Sequence, residues 1–368
     1  MKFTCEQGNF LKALNQVSRI VSARTTLPIL SNILLSVTKD KIFLSSTDLE
    51  VAVTAQAEGK IEQEGKLTIP ARLLSDFITN NHDKTINFST PKENVLNLKS
   101  EHFEAKITGI SAEEYPTIPE MPKENILNIE AKELLEAIKK TVIATANDET
   151  RPVLAGIYFQ FDGKVLTMAA TDSFRLAEKK IALKEEVVDK KFIVPMRTMA
   201  EVLRLMSSIE GDSVAISFTE NQIAFKIGKT EVVSRLIEGA FPNYAQIIPA
   251  NFKISITADF NTLNDAVKMS ALFSKNSANN IKFNVKDGAL TIISEAAETG
   301  EATSKIPAEI TGGDITVAFN ARYILDVLQI LASEKITINL NDEASAGMIT
   351  TQDDKNYLYI AMPLRLDQ

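Results

Sequence analysis

Three stretches of this chain follow one plan. Asn32-Ile33-Leu34-Leu35-Ser36-Val37, Gly156-Ile157-Tyr158-Phe159-Gln160-Phe161 and Asn280-Ile281-Lys282-Phe283-Asn284-Val285 carry apolar residues at every second position. They begin at 32, 156 and 280, an offset of 124 both times. Each meets a polar segment, Thr38-Lys39-Asp40, Asp162-Gly163-Lys164 or Lys286-Asp287-Gly288, and alternation then resumes at Ile42/Leu44, Leu166/Met168 and Leu290/Ile292. Alternation, turn residues and alternation predict a hairpin at the same place in each third.

A second landmark follows in register. Leu67-Thr68-Ile69, Phe192-Ile193-Val194 and Val317-Ala318-Phe319 run into Pro70, Pro195 and Asn320, offset by 125. Beyond them the period becomes helical, with apolar residues at Leu74/Phe77/Ile78, Met199/Val202/Leu203 and Ile324/Val327/Leu328. Arg72 with Asp76, Arg197 with Glu201 and Arg322 with Asp326 are spaced to pair on one helix face. A rigid φ is tolerated where Pro70 and Pro195 stand, and Asn320 is a good cap. Further helical stretches open each third, at 10–23, 132–146 and 260–274. Each third closes on Tyr115-Pro116, Phe241-Pro242 or Met362-Pro363. The reading is a triplicated two-helix, β-rich domain of α+β class, with boundaries at 1–125, 126–250 and 251–368.

Composition narrows the chemistry. A length of 368 residues with 45% hydrophobic and 24% charged residues suits two or three globular domains and excludes disorder, collagen and coiled coil. Cys5 is alone, so there is no internal disulfide framework and no thiolate zinc site. His82 and His102 are the only imidazoles, and both read as surface residues. Glu295, Glu298 and Glu301 lack the loop chemistry of a calcium site and read as a charged edge. Gly228-Lys229-Thr230 ends like a phosphate loop, but Ile223 stands where the earlier glycine belongs. No stretch approaches the ~18 apolar residues of a membrane span, and Met1 to Glu6 has no leader-like apolar core. The expectation is a cytoplasmic protein without metal or cofactor.

The net charge of −8 argues, by itself, against nucleic acid. The six helical stretches (9–23, 71–80, 131–146, 196–208, 259–275 and 321–333) nevertheless carry a net +4, which leaves −12 for the rest. Gathered on one surface they would make a weakly basic face on an acidic body. Helix propensity of Lys and Arg alone explains the same division.

Leu27-Pro28-Ile29-Leu30-Ser31-Asn32, Thr47-Asp48-Leu49-Glu50, Ala170-Thr171-Asp172-Ser173-Phe174-Arg175-Leu176-Ala177, Phe241-Pro242-Asn243-Tyr244 and Met362-Pro363-Leu364-Arg365-Leu366 stand in register with the repeat. With these the chain resembles, over its whole length, the bacterial sliding clamp family, the β subunit of replicative DNA polymerase III. The resemblance implies a non-enzymatic processivity factor, a head-to-tail homodimer closed around duplex DNA with helices lining the hole. It implies DNA contact by Arg24 and Arg72, and Arg197 occupies the position of Arg72 in the second third. At Asp148, Pro152 and Val153 the chain departs from the family pattern, so no DNA contact is carried to that loop.

The resemblance further implies a pocket for short peptides of the polymerase III alpha subunit, the clamp loader and other polymerases and repair proteins. Its lining would be Leu154, Thr171, Ser173, Phe174, Arg175, Leu176, Pro242, Ile247, Ile360, Met362, Pro363, Leu364, Arg365 and Leu366. An exposed groove of this composition suits peptide capture, while a core reading stays open for Leu176 and Ile360. Phe174 and Gln246 replace residues that are often His and Arg in the family, which makes the pocket more apolar. At the ring seam, Phe103, Lys106 and Ile107 would face Leu272, Phe273 and Glu298 of a second copy. A monomeric β-rich carbohydrate- or peptide-binding protein and a hydrolase are the alternatives, and mass in solution separates the first from a ring.

Overall fold

Asn32 is paired with Pro70, Gly156 with Pro195 and Asn280 with Asn320. The two landmarks that recur along the sequence are therefore cross-strand partners in all three copies. These pairings come from a computed structural model that describes residues 1–21, 27–123, 125–148, 150–275, 278–296 and 300–365. Arg24, Glu298 and Leu366 lie outside the described residues.

Two helices belong to each copy: α1 (Gln7–Val17) and α2 (Ala71–Asn80), α3 (Ala131–Val142) and α4 (Met196–Ser208), α5 (Phe260–Ser274) and α6 (Ala321–Leu328). The second helix of each pair starts directly after the partnered Pro or Asn. Pro70 caps α2, and Asn320 Oδ1 accepts from Arg322 N at 3.0 Å. Helical spacing buries Ala71, Leu74 and Ile78 in α2 and Ile324, Val327 and Leu328 in α6. The opening helices of the first two copies end earlier than their periodicity suggests, whereas α5 spans the expected 260–274. Ser18 Oγ donates to Leu14 O at 2.6 Å and closes α1, so Arg19 falls beyond it. With the observed bounds the six helices carry +3, and the remainder of the −8 chain carries −11.

Strands dominate, and the strand pairs described are antiparallel. The chain forms two compact units, Met1–Lys132 with Glu201–Leu236, and Glu133–Ala200 with Ile237–Gln368. Each is built on a sheet that two copies share. In the first unit Thr230–Arg235 pairs with Val51–Ala57. In the second, Arg175–Lys179, the start of strand Arg175–Pro195, pairs with Tyr357–Ala361. An N-terminal aromatic stack of Phe3, Phe10 and Phe88, with centroids 4.4 Å (Phe3–Phe88) and 4.5 Å (Phe10–Phe88) apart, anchors the first copy's other sheet.

The predicted hairpins form at Asn32–Val37 with Ile42–Thr47 and at Asn280–Lys286 with Ala289–Ala296. In the second copy both alternating segments lie in one long strand, Gly156–Thr171. Its two halves pair with the two ends of Arg175–Pro195, and the register shifts around Gly163, φ +56°.

The closing landmark needs correction. Isolated bridges Thr68↔Ile110, Ile193↔Ile237 and Ala318↔Leu364 align the copies at offsets of 125 and 127. Tyr115-Pro116 and Phe241-Pro242 follow that bridge, whereas Met362-Pro363 precedes it, so the third dipeptide is not equivalent. The approach is close: a Cβ on Gly109 would sit 2.0 Å from Thr68 O. Only glycine fits there.

Candidate functional site

The segment Thr171–Arg175 makes a turn that its own side chains dictate. Asp172 Oδ1 accepts from Phe174 N (2.9 Å) and Arg175 N (3.0 Å). Thr171 Oγ1 accepts from Ser173 N (3.1 Å) and donates to Arg175 O (2.7 Å). These bonds hold Ser173 at φ +80° and present Phe174 to solvent, 55% exposed. Phe174 O in turn accepts from Met362 N at 2.8 Å, which ties the turn to the C-terminal segment.

Arg175 faces inward from this turn and is buried. Its Nε donates to Asp172 Oδ2 at 3.0 Å, its Nη1 to Asp326 Oδ2 on α6 at 2.5 Å, and its guanidinium stacks 4.5 Å from the centroid of Tyr323. A planar, permanently charged fork suits two carboxylates and an aromatic face together. Leu176 lies opposite Ile360 and packs with Ala346, and Tyr244, Ile248, Met348, Leu358 and Met362 close over them. Tyr244 OH donates to Glu178 Oε2 at 2.6 Å, and its ring meets Phe241 edge-on at 6.0 Å. Burial, reinforced by Glu178, pushes the Tyr244 hydroxyl pKa far up, so it remains a donor.

The structure thus brings Thr171, Ser173, Phe174, Arg175, Leu176, Ile360 and Met362 together. Leu154, Thr171, Arg175, Leu176 and Ile360 are buried, so they form floor and support rather than contact surface. Ser173, Phe174, Pro242, Ile247 and Arg365 are exposed, and Met362, Pro363 and Leu364 half-buried. Pro242 and Ile247 flank Tyr244, whose bond to Glu178 fixes their loop. Leu364 is also engaged in the bridge to Ala318.

The first-turn arginines Arg72, Arg197 and Arg322 are exposed at equivalent places in α2, α4 and α6. The expected intrahelical pairs hold only in part. Arg72 Nε lies 3.9 Å from Asp76. Glu201 accepts from Arg204, Nε to Oε1 3.1 Å, and Asp326 is taken by Arg175, a less solvated partner. Lys140, counted as helix charge, is buried between Glu136 Oε1 (2.5 Å) and Asp354 Oδ2 (2.6 Å), and Lys179 Nζ shares Asp354 at 2.6 Å.

Glu104–Thr108 and Gly300–Ile306 each end a sheet. Phe103 is 49% exposed and Lys106 exposed, but Ile107 is 3% exposed and belongs to the core, because alternation turns it inward. Leu272 is exposed at 58% and Phe273 half-buried. Glu295 faces Glu301 across the strand pair, with Lys282 Nζ 3.1 Å from Glu295.

Other candidate chemistries resolve simply. Cys5 is buried, its thiol donates to Glu58 O at 2.8 Å, and burial pushes its pKa up to about 12. Gly228 turns a hairpin rather than opening a helix, and Lys229 pairs with Glu58. His102 Nδ1 lies 2.7 Å from Asp83 Oδ1; Ser100 and His102 hold that carboxyl down at about 2, and Asp83 raises the imidazole. Glu101 brings a third potential ligand atom within 4.8 Å; Glu101 and His102 are exposed and Asp83 half-buried. No helix among the described residues is long and apolar enough to cross a membrane. Asp172, Asp326 and Arg322 were not reached as site residues by sequence reasoning. The repeat offset of 125 points to Arg322, whereas nothing in the sequence joins residues 172, 175 and 326.

Profiles of the DNA polymerase III beta subunit match residues 1–119 (N-terminal domain), 128–243 (central domain) and 245–365 (C-terminal domain). The beta sliding clamp of Staphylococcus epidermidis is 28% identical over 375 residues, 99% of each chain. The crystal structure of a DNA polymerase sliding clamp from Bacillus subtilis superposes with a TM-score of 0.95 at 26% identity, covering 100% of both chains. A sliding clamp from Pseudomonas aeruginosa bound to griselimycin gives 0.94 at 29%, again over 100% of both.

Proposed function

Because the chain belongs to the DNA polymerase III beta-subunit family, a family of non-catalytic processivity clamps, we propose that two copies close head to tail around duplex DNA and tether replication proteins. The protein is a DNA polymerase processivity clamp. Beyond that, the reading comprises three domains at 1–125, 126–250 and 251–368, cytoplasmic action, and partners held by short peptides.

One observation carries the ring. Val53 pairs with Val232, and Ala177 pairs with Tyr359, offsets of 124 and 127. One further step of each offset, forward from 177 and back from 232, reaches Glu301 and Ala105. Glu301 lies in Gly300–Ile306 and Ala105 in Glu104–Thr108, each a strand at the end of its sheet. Such edges are normally covered, and a second copy supplies the missing partner, Glu301 opposite Ala105, in a heterologous contact. Phe103 and Leu272 add exposed apolar surface, Lys106 and Glu298 opposite charge.

DNA contact falls to Arg24, Arg72, Arg197 and, by equivalence, Arg322. A cation in the first helical turn opposes the helix dipole, yet three copies place one there. A phosphate at those amide ends offsets that cost. The contacts are sequence-independent and weak enough for sliding. Peptides dock on Phe174, Pro242, Ile247, Met362, Pro363, Leu364, Arg365 and Leu366 above the Leu154, Thr171, Arg175, Leu176 and Ile360 floor, with Ser173 at the rim. Tethering then raises the polymerase's effective concentration at the primer end. Met362→Ala with Leu366→Ala should abolish binding of the polymerase alpha-subunit peptide and leave the dimer's mass unchanged; loss of the dimer would mark these as structural residues.

A further inference from the structure

The turn Thr47–Val51 copies Thr171–Arg175 bond for bond. Thr47 Oγ1 donates to Val51 O (2.9 Å) and accepts from Leu49 N (3.0 Å). Asp48 Oδ1 accepts from Glu50 N (3.1 Å) and Val51 N (2.9 Å). Arg235 N donates to Glu50 O at 3.0 Å, as Met362 N does to Phe174 O. The strand that follows each turn pairs with the equivalent strand of the next copy. The backbone seat proposed above for peptides therefore exists a second time, within Met1–Lys132 and Glu201–Leu236.

Its side chains have another chemistry. In the second copy Arg151 Nη1 donates to Ser173 Oγ at 3.0 Å. The positions 124 residues earlier are Leu27 and Leu49, both 46% exposed. Leu49 has φ +79°, a left-handed backbone that a bulky side chain rarely adopts. Glycine or asparagine would relieve the strain and remove the exposed apolar surface. Strain of this kind collects at recognition sites. Exposed Glu50 stands where Phe174 does and Arg151's counterpart carries no charge, while exposed Arg235 stands where Met362 does, so these three exchanges make the seat less positive by one charge.

We propose that this turn is a second peptide-docking seat, selective for a short extended peptide in which apolar side chains are flanked by Lys or Arg. Leu27 and Leu49 receive the apolar side chains, and the Glu50 carboxylate receives the base. The inference rests on the reading of Thr171–Arg175 as a peptide seat. It is tested with two labelled hexapeptides, each with two central leucines, one flanked by lysines and one by glutamates, followed by fluorescence anisotropy. The full-length protein should prefer the lysine-flanked peptide. Leu49→Gly, which suits the backbone, and Glu50→Lys should each weaken that binding by about tenfold or more, while Phe174→Ala leaves it unchanged. Indifference to both substitutions, or loss with Phe174→Ala instead, overturns the proposal. So does a change in the protein's sedimentation with Leu49→Gly, which would make Leu49 a contact between copies. Failure of the Phe174 seat reads out separately, as unchanged binding of the polymerase alpha-subunit peptide by the Phe174→Ala protein.

Discussion

Arg175 Nη1 lies 2.5 Å from Asp326 Oδ2, and this contact fastens the turn that presents Phe174 to helix α6. Removing one partner of a buried ion pair leaves the other uncompensated, at a cost of about 3 kcal/mol. Asp326→Asn should therefore lower the thermal midpoint and weaken alpha-subunit peptide binding together. Phe174→Ala, which leaves the strut intact, should weaken binding at an unchanged midpoint. Calorimetry beside anisotropy separates the two.

The acidic limb of the stability curve should follow Lys140, Lys179, Glu136 and Asp354. Burial alone would raise both carboxyls, but hydrogen bonds and charge from the lysines hold Glu136 and Asp354 below the ordinary range. Depressed folded pKa values contribute stability that is present above the unfolded pKa and lost as pH falls through the folded one. Unfolding by urea should become easier from the ordinary carboxylate range downward. In Asp354→Asn the neutral-pH stability should be lower and the acid dependence flatter. An unaltered slope would assign the acid limb to other carboxylates.

What could be read from the sequence was local and periodic. Asn32, Gly156 and Asn280, and Pro70, Pro195 and Asn320, were visible as landmarks because period-2 and period-3.6 patterns betray surfaces. Their pairing with one another was not, since strand partners are chosen by contacts far apart in the chain. Helix spacing suggested Arg322 for Asp326, yet tertiary packing brought in Arg175 from 151 residues away. Lys140 looked like surface charge, and only the fold reveals that Asp354 buries it. The Thr171-Asp172 turn did carry a signal, namely Thr47-Asp48 at 124 residues' distance.

The seam should divide residues that alternation alone makes look alike. Phe103→Asp, at an exposed site, should give a folded monomer by sedimentation. Ile107→Ala should instead cost about 2–5 kcal/mol of stability, because it empties a core position. A folded, stable Ile107→Ala monomer would place Ile107 at the interface after all.

Charge reversal of Arg72, Arg197 and Arg322 should lower the affinity of the open protein for linear duplex. The slope of log affinity against log salt should fall by roughly 0.9 for each phosphate that is no longer neutralised. An unchanged slope would remove these arginines from the DNA path.

Topological linkage is the central claim, and retention on circular against linear duplex tests it most directly. Loaded onto a nicked circle, the clamp should survive gel filtration in high salt and be released when the circle is cut at one site. Equal retention on the cut and uncut DNA, or equal loss from both, would contradict a closed ring around the duplex.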